Sequence, residues 1–384
     1  RAGEYSVSGD GRYVIFETGL RMDKQDVDNG TDIYRWDLQA GKIEMVSVVT
    51  NGSRNAACSK ADISADGSIV SFRCGAHVCV RDMQKPVAEC ITERKDLSKS
   101  LPVNDRVAGL PSLSEDGRWL AFAAGVDYNI READYGDRFK SIFLLDRSTG
   151  ECRDLTGKKD VGAFEKIVLS GQGNALIVEA AEGTFSKTNM GSHDYELAVV
   201  SVADGTHVMI PFPAPDMKGL PLQKLSVSDD ARFVAIEGKR PSPTQIFLLD
   251  RPTGNWKLIS CGAGGQAGNM DSASPAVAGT ANCVVFNSAA RNLVPEVNAA
   301  GRQIYMYGVA DGKIRIVTKP LPGKETCSFS EKPVISRDGS VIVFSSNASL
   351  PDLPEPEIRE NSPASGQRLC AFSYRTGKYA ILGG

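Results

Sequence analysis

The sequence predicts an all-β protein, a seven-bladed β-propeller of four-stranded antiparallel blades. Three observations lead there: a motif repeated seven times, an alternating apolar run after each copy, and a turn-rich composition without helical periodicity. The motif is a small polar tetrapeptide. It reads Ser8-Gly9-Asp10-Gly11, Ser64-Ala65-Asp66-Gly67, Ser114-Glu115-Asp116-Gly117 and Ser170-Gly171-Gln172-Gly173. It continues as Ser228-Asp229-Asp230-Ala231, the degenerate Ala278-Gly279-Thr280-Ala281, and Ser336-Arg337-Asp338-Gly339. The spacings are 56, 50, 56, 58, 50 and 58 residues, so the repeat fills the chain. A fixed period of this length marks a repeat architecture in which each unit is one supersecondary element.

Each element follows from local chemistry. A short strand leads into the tetrapeptide, whose Asp-Gly pair supplies the positive backbone angles a tight hairpin needs. A second strand follows, with Phe16, Phe72, Phe122, Ile236, Phe286 and Phe344 at equivalent inward positions. Third strands read Asp32–Asp37, Ser141–Asp146, Gln245–Asp250 and Gln303–Tyr307. A glycine turn comes next, at Gly41, Gly150, Gly254, Gly312 or Gly377, and a fourth strand closes the unit, as in Lys42–Ser47 and Lys313–Thr318. β-Branched and aromatic residues fill these runs, as pleated strands prefer. A single sheet cannot cover both of its apolar faces, whereas stacked neighbours can, and a closed ring covers the last two. The expectation is one domain, residues 1–384, with blades near 1–50, 58–95, 107–157, 163–212, 222–261, 270–319 and 330–384. The chain opens on a first strand, Glu4–Val7, and ends on a fourth, Lys378–Leu382, so the ring is expected to close without strand exchange between the chain ends.

Composition excludes some classes. Hydrophobic content of 41% and charged content of 24% are globular values. A net charge of −3, from 44 basic and 47 acidic residues, argues against a nucleic-acid partner. No apolar run reaches the roughly 20 residues of a membrane span. Nine cysteines leave at least one thiol unpaired in a monomer, the expected oligomeric state. Cys74 and Cys79 flank Gly75-Ala76-His77-Val78 and are expected to bridge across a tight hairpin. The chain starts Arg1-Ala2-Gly3-Glu4 without a signal segment, which reads as a removed leader or an excised domain.

The repeats resemble the TolB-type, WD40-like propeller repeats of bacteria, in which Ser-x-Asp-Gly-Arg-x-Val-x-Phe is followed by Asp-Ile-Tyr-x-x-Asp and Thr-Gly. The resemblance covers nearly the whole chain. It implies an extracytoplasmic scaffold, periplasmic or secreted, because such propellers serve as scaffolds, receptors and peptidase accessories. Some relatives of that type are metal-dependent lyases with clustered histidines, but this chain has only His77, His193 and His207.

Function is expected on the connections between second and third strands, where length varies, since recognition residues ride on variable loops over a rigid scaffold. The richest of these holds Tyr128, Arg131, Asp134, Tyr135 and Arg138, residue types that anchor interfaces. It suits a protein or saccharide partner, or a solvated loop with internal ion pairs. His193, between Ser192 and Asp194, is the histidine best placed for chemistry, although three adjacent residues cannot form a triad. In the first such loop Asp23, Asp26 and Asp28 offer closely spaced oxygen ligands of the kind Ca2+ takes. The same residues also suit an Asx-turn loop capping the hairpin. No nucleophile-elbow, zinc-protease or phosphate-loop motif occurs, so the reading is a non-enzymatic binding scaffold. The alternative is a propeller module of a larger hydrolase or lyase whose catalytic part lies outside this chain.

Overall fold

The computed structural model describes residues 4–49, 56–93, 108–126, 139–156, 164–181, 184–185, 194–214, 217, 222–238, 242–295, 301–319, 321, 328–354 and 367–382. Among these, every regular element is a strand apart from a short 3-10 turn, Ile91–Glu93. No described helix is long and apolar enough to cross a membrane.

The strands pair in sequence order, four at a time. The N-terminal unit holds sixteen of them. β1–β4 are Tyr5–Val7, Tyr13–Thr18, Asp32–Asp37 and Lys42–Met45, and β5–β8 are Cys58–Ile63, Ile69–Cys74, His77–Asp82 and Glu89–Cys90. β9–β12 are Ala108–Leu113, Trp119–Val126, Phe139–Asp146 and Cys152–Asp154. β13–β16 are Phe164–Leu169, Ala175–Ala181, Tyr195–Ser201 and His207–Ile210. In the C-terminal unit, β17–β20 are Leu225–Val227, Phe233–Gly238, Gln245–Asp250 and Asn255–Leu258. β21–β24 are Ser272–Val277, Cys283–Ser288, Gly301–Gly308 and Ile314–Ile316, and β25–β28 are Ser328–Ile335, Val341–Ser346, Arg368–Ser373 and Lys378–Leu382. Two sheets are eight-stranded, because Phe139 pairs with Phe164 and because Gly301 and Arg302 pair in parallel with Ser328 and Phe329. Gly301 (φ +114) has no substitute there, since a Cβ would strike the Ser328 backbone. Each terminal strand pairs inside its own sheet, β1 with β2 and β28 with β27.

The tetrapeptide works as a hydrogen-bonded staple. Ser114 Oγ donates to Asp116 Oδ1 and accepts from Trp119 N at 2.9 Å, and Asp116 Oδ1 also accepts from Arg118 N at 2.9 Å. The same three bonds recur around Ser8, Ser228 and Ser336. The fourth position is left-handed throughout, φ +72 at Gly11 and Gly67, and φ +58 even at Ala231 and Ala281. Successive turns are then tied by backbone bonds: Asp10 N to Ala65 O, Ala65 N to Glu115 O, and Glu115 N to Gly171 O. In the C-terminal unit Asp229 N donates to Gly279 O and Thr280 N to Arg337 O.

The cores lie between consecutive sheets. One packs Ile15 and Ile33 against Val70 and Phe72; another packs Val78 and Val80 against Phe122 and Phe143. A third joins Ala121 and Leu144 to Val178 and Val200. In the C-terminal unit Ile246 and Leu248 meet Phe286 and Tyr305, and Val285 and Ile304 meet Phe344 and Cys370. Second strands are accordingly buried on both faces, whereas fourth strands such as Asn255–Leu258 alternate exposed and half-buried. Phe16, Phe72, Phe122, Ile236, Phe286 and Phe344 are all buried, as expected. Each faces a third-strand residue in equivalent register: Tyr34, Cys79, Phe143, Phe247, Tyr305 and Cys370.

The cysteine expectation is corrected. Cys74 bonds to Cys58, not to Cys79. The reason is the turn between β6 and β7, which is the two-residue Gly75-Ala76 and not a four-residue loop. Cys74 therefore faces His77 across that hairpin, while Cys79 faces Phe72. Cys58 lies directly opposite Cys74 on the other side, with Cα atoms 4.1 Å apart. Cys79 instead faces Cys90 on β8, with Sγ atoms 2.7 Å apart.

Candidate functional site

The two ends of each sheet differ. Connections between first and second strands run 8–12, 64–68, 114–118, 170–174, 228–232, 278–282 and 336–340, five residues every time. Connections between second and third strands run 19–31, 75–76, 127–138, 182–194, 239–244, 289–300 and 347–367, from two residues to twenty-one. The first set is constant in length and carries the staple around Ser8, Ser114, Ser228 and Ser336, whereas the second set varies in length.

Tyr128, Arg131, Asp134, Tyr135, Arg138 and His193 fall in the connections 127–138 and 182–194 by sequence and lie outside the described residues. The described site is the first long connection, 19–31, and the strands that flank it. Arg21 organises its backbone, with Nε donating to Asp28 O at 2.6 Å and Nη2 to Asn29 Oδ1 at 3.0 Å. Asp23 closes a small turn by accepting from Gln25 N at 2.9 Å, and Asp28 Oδ1 accepts from Gly30 N at 2.6 Å. These are the Asx turns the sequence offered as one of its two readings.

The loop folds back so that carboxylate oxygens of Asp26, Asp28 and Asp32 lie within 4.8 Å of one another. Asp32, at the start of β3, stands in the cluster where Asp23 was expected. Asp26 and Asp32 are buried, at 7% and 5% exposure. Asp26 Oδ2 accepts from the Tyr34 hydroxyl at 2.6 Å, and Asp32 Oδ1 accepts from Ser47 Oγ at 2.6 Å. The other oxygen of each, Asp26 Oδ1 and Asp32 Oδ2, is buried and has no hydrogen-bond partner. Burial pushes the Asp32 carboxyl above its ordinary value; the Ser47 bond opposes this, and the charges of Asp26 and Asp28 add to it. Burial, with the bond to Asp26, likewise raises Tyr34. Asp28 and Asp32 also line a cavity of about 410 Å³, together with Gln25, Met45, Ser47 and the Cys58–Cys74 bridge.

A second feature of this edge was not legible. First strands carry a bulge there, with a left-handed non-glycine residue: Lys60 (φ +56), Leu110 (φ +54), Ser274 (φ +55) and Lys332 (φ +53). Lys60 N donates to Glu17 Oε1 at 2.7 Å and Ser274 N to Glu237 Oε2 at 2.8 Å, each acceptor lying on the preceding sheet. Glu17 and Glu237 are buried, and burial raises the Glu17 carboxyl. An inward-facing Glu at the end of an apolar second strand is the one signal that could have exposed this device.

The described histidines have packing partners. His77 Nδ1 lies 3.2 Å from Thr92 Oγ1 and its Nε2 3.4 Å from Glu93, while His207 packs on Phe185 with ring centroids 4.8 Å apart.

No protein-family model matches the chain. No curated protein matches it. Solved structures do. An acylaminoacyl peptidase from Pyrococcus horikoshii is 13% identical with a TM-score of 0.59, over 100% of this chain and 52% of that one. The β-propeller domain of the trilobed protease from Pyrococcus furiosus, described as having an open velcro topology, is 12% identical with a TM-score of 0.58, over 100% of this chain and 97% of that one. Dipeptidyl peptidase 4 from Porphyromonas gingivalis is 14% identical with a TM-score of 0.54, over 100% and 52%. This chain thus spans about half the length of the two peptidases. At these identities the likeness establishes the fold alone, and that fold is a β-propeller.

Proposed function

We propose that the chain is a TolB-type, seven-bladed propeller acting as a non-enzymatic binding scaffold. Its partner, a protein or a saccharide, is recognised through the connections between second and third strands. One observation carries this reading: lengths of two to twenty-one residues on that edge against a constant five on the other. A scaffold that holds one edge constant and varies the other is built to present loops. The TolB-type assignment is supported by the staple, which uses the Ser, Asp and Gly of that motif for separate bonds. An extracytoplasmic location is supported by the Cys58–Cys74 disulfide, since such bonds persist in oxidising compartments.

The test is a quantitative recovery of cross-linked partners by the intact chain. Changing Tyr128, Arg131, Tyr135 and Arg138 together to Ala should abolish recovery with an unchanged melting temperature. Recovery undiminished by the fourfold change would overturn the placement of the interface.

A second reading, a propeller module within a larger hydrolase or lyase, is favoured by the coverage of the two peptidases, about half of each chain. The full-length gene product separates the readings: a further catalytic domain supports the second.

A further inference from the structure

We infer that Asp26, Asp28 and Asp32 form a binding site for a hard divalent cation of the calcium class. The inference does not depend on the identity of any partner. It rests first on convergence, three carboxylate oxygens within 4.8 Å of one another, drawn from loop 19–31 and the first residue of β3.

It rests second on two oxygens that nothing else satisfies. Asp26 Oδ1 and Asp32 Oδ2 are buried without a hydrogen-bond partner, on side chains more than nine-tenths buried. A buried carboxylate oxygen left unpaired is costly, and three like charges at this separation compound the cost. A divalent cation removes both penalties at once.

The remaining oxygens are already oriented. Tyr34 holds Asp26 through Oδ2, Ser47 holds Asp32 through Oδ1, and Gly30 N holds Asp28 through Oδ1. Outer hydrogen bonds that fix ligand orientation while leaving one oxygen spare are the usual support of a metal site. Arg21 donates to Val27 O, Asp28 O and Asn29 Oδ1, backbone and amide oxygens of the loop rather than the three carboxylates.

The donor set selects the ion class. Oxygen donors from carboxylates suit calcium over zinc or copper. The cavity lined by Asp28 and Asp32 leaves room for water to complete a coordination shell of six to eight oxygens. Binding would add a second tie between the first variable connection and β3, beside the Tyr34–Asp26 bond.

The experiment uses the whole chain, stripped with chelator and titrated with calcium and, separately, terbium. Calcium at millimolar concentration should raise the melting temperature by at least about 2 °C. Terbium should show luminescence sensitised by Tyr34, displaced by calcium. Asp32→Asn and Asp28→Asn should each weaken binding at least about tenfold, while Asp23→Asn should leave it unchanged. Asp28 is only half-buried, so its variant folds even if the Asp32 variant does not. No thermal shift and no terbium signal would overturn the site. So would full binding by Asp28→Asn, or a loss on Asp23→Asn as large as on Asp28→Asn.

Discussion

The Tyr34 hydroxyl donates to Asp26 Oδ2 at 2.6 Å, and both side chains are buried. This bond joins the third strand of the first sheet to its long connection. It also anchors Met22, whose N–H donates to the same hydroxyl at 3.3 Å. Tyr34→Phe keeps the ring, which stacks on Phe16 at 5.9 Å, but strands a buried carboxylate. The expected cost is about 1–3 kcal/mol in denaturant unfolding. A cost near zero would mean that loop 19–31 is not held from β3.

The inter-sheet cores make a second prediction. Phe122 is fully buried, stacks on Phe143 at 5.7 Å, and belongs to the core that β6, β7 and the 3-10 turn share with β9–β12. Phe122→Ala should cost about 3–5 kcal/mol. A cost under about 1 kcal/mol would place this ring on an exposed face.

How much could be read in advance follows from which interactions are local. The staple is written in four consecutive letters, because Ser114, Asp116 and Trp119 bond within six residues. Its arginine is equally visible: Arg12, Arg118 and Arg232 meet Asp37, Asp146 and Asp250 at the ends of third strands. Strand order, repeat length and the inward phenylalanines therefore emerge from pattern alone. Cross-strand pairing does not. Moving the β6–β7 turn from four residues to two changes the partner of Cys74 from Cys79 to His77. Asp32 entered the carboxylate cluster and Asp23 left it for the same reason, since only the fold-back of 19–31 decides which aspartates converge.

The arginine–aspartate pairs predict a pH dependence. The hydrogen-bonded Arg12 guanidinium holds Asp37 down at about 2, against 3.8 ordinarily. Arg118 and Arg232 lower Asp146 and Asp250 in the same way. A carboxylate with a lowered native pKa contributes stability above its unfolded pKa and loses it as pH falls through the native one. The melting temperature should therefore fall between about pH 4 and pH 2. Asp37→Asn should lower stability at neutral pH and flatten that acid limb. An unchanged limb in the variant would show that the pair contributes nothing.

The facing thiols of Cys79 and Cys90 give a fourth prediction. Their Sγ atoms are 2.7 Å apart, directly opposite across β7 and β8. The hydrogen bond between them, with burial, pushes the Cys79 thiol above its ordinary value. In protein matured with a disulfide oxidant, which takes up the two electrons as two thiols, non-reducing peptide mapping should find Cys58–Cys74 and Cys79–Cys90. A Cys74–Cys79 peptide would contradict the strand register.

Whether the seven repeats close one ring is tested most directly by scanning calorimetry of the whole chain. In a closed ring every sheet depends on two neighbours for cover, since no sheet of a repeat protein buries both faces alone. One transition is expected, with the calorimetric enthalpy equal to the van't Hoff enthalpy. Two separable transitions, one for each unit and each reproduced by the isolated fragment, would contradict the single ring.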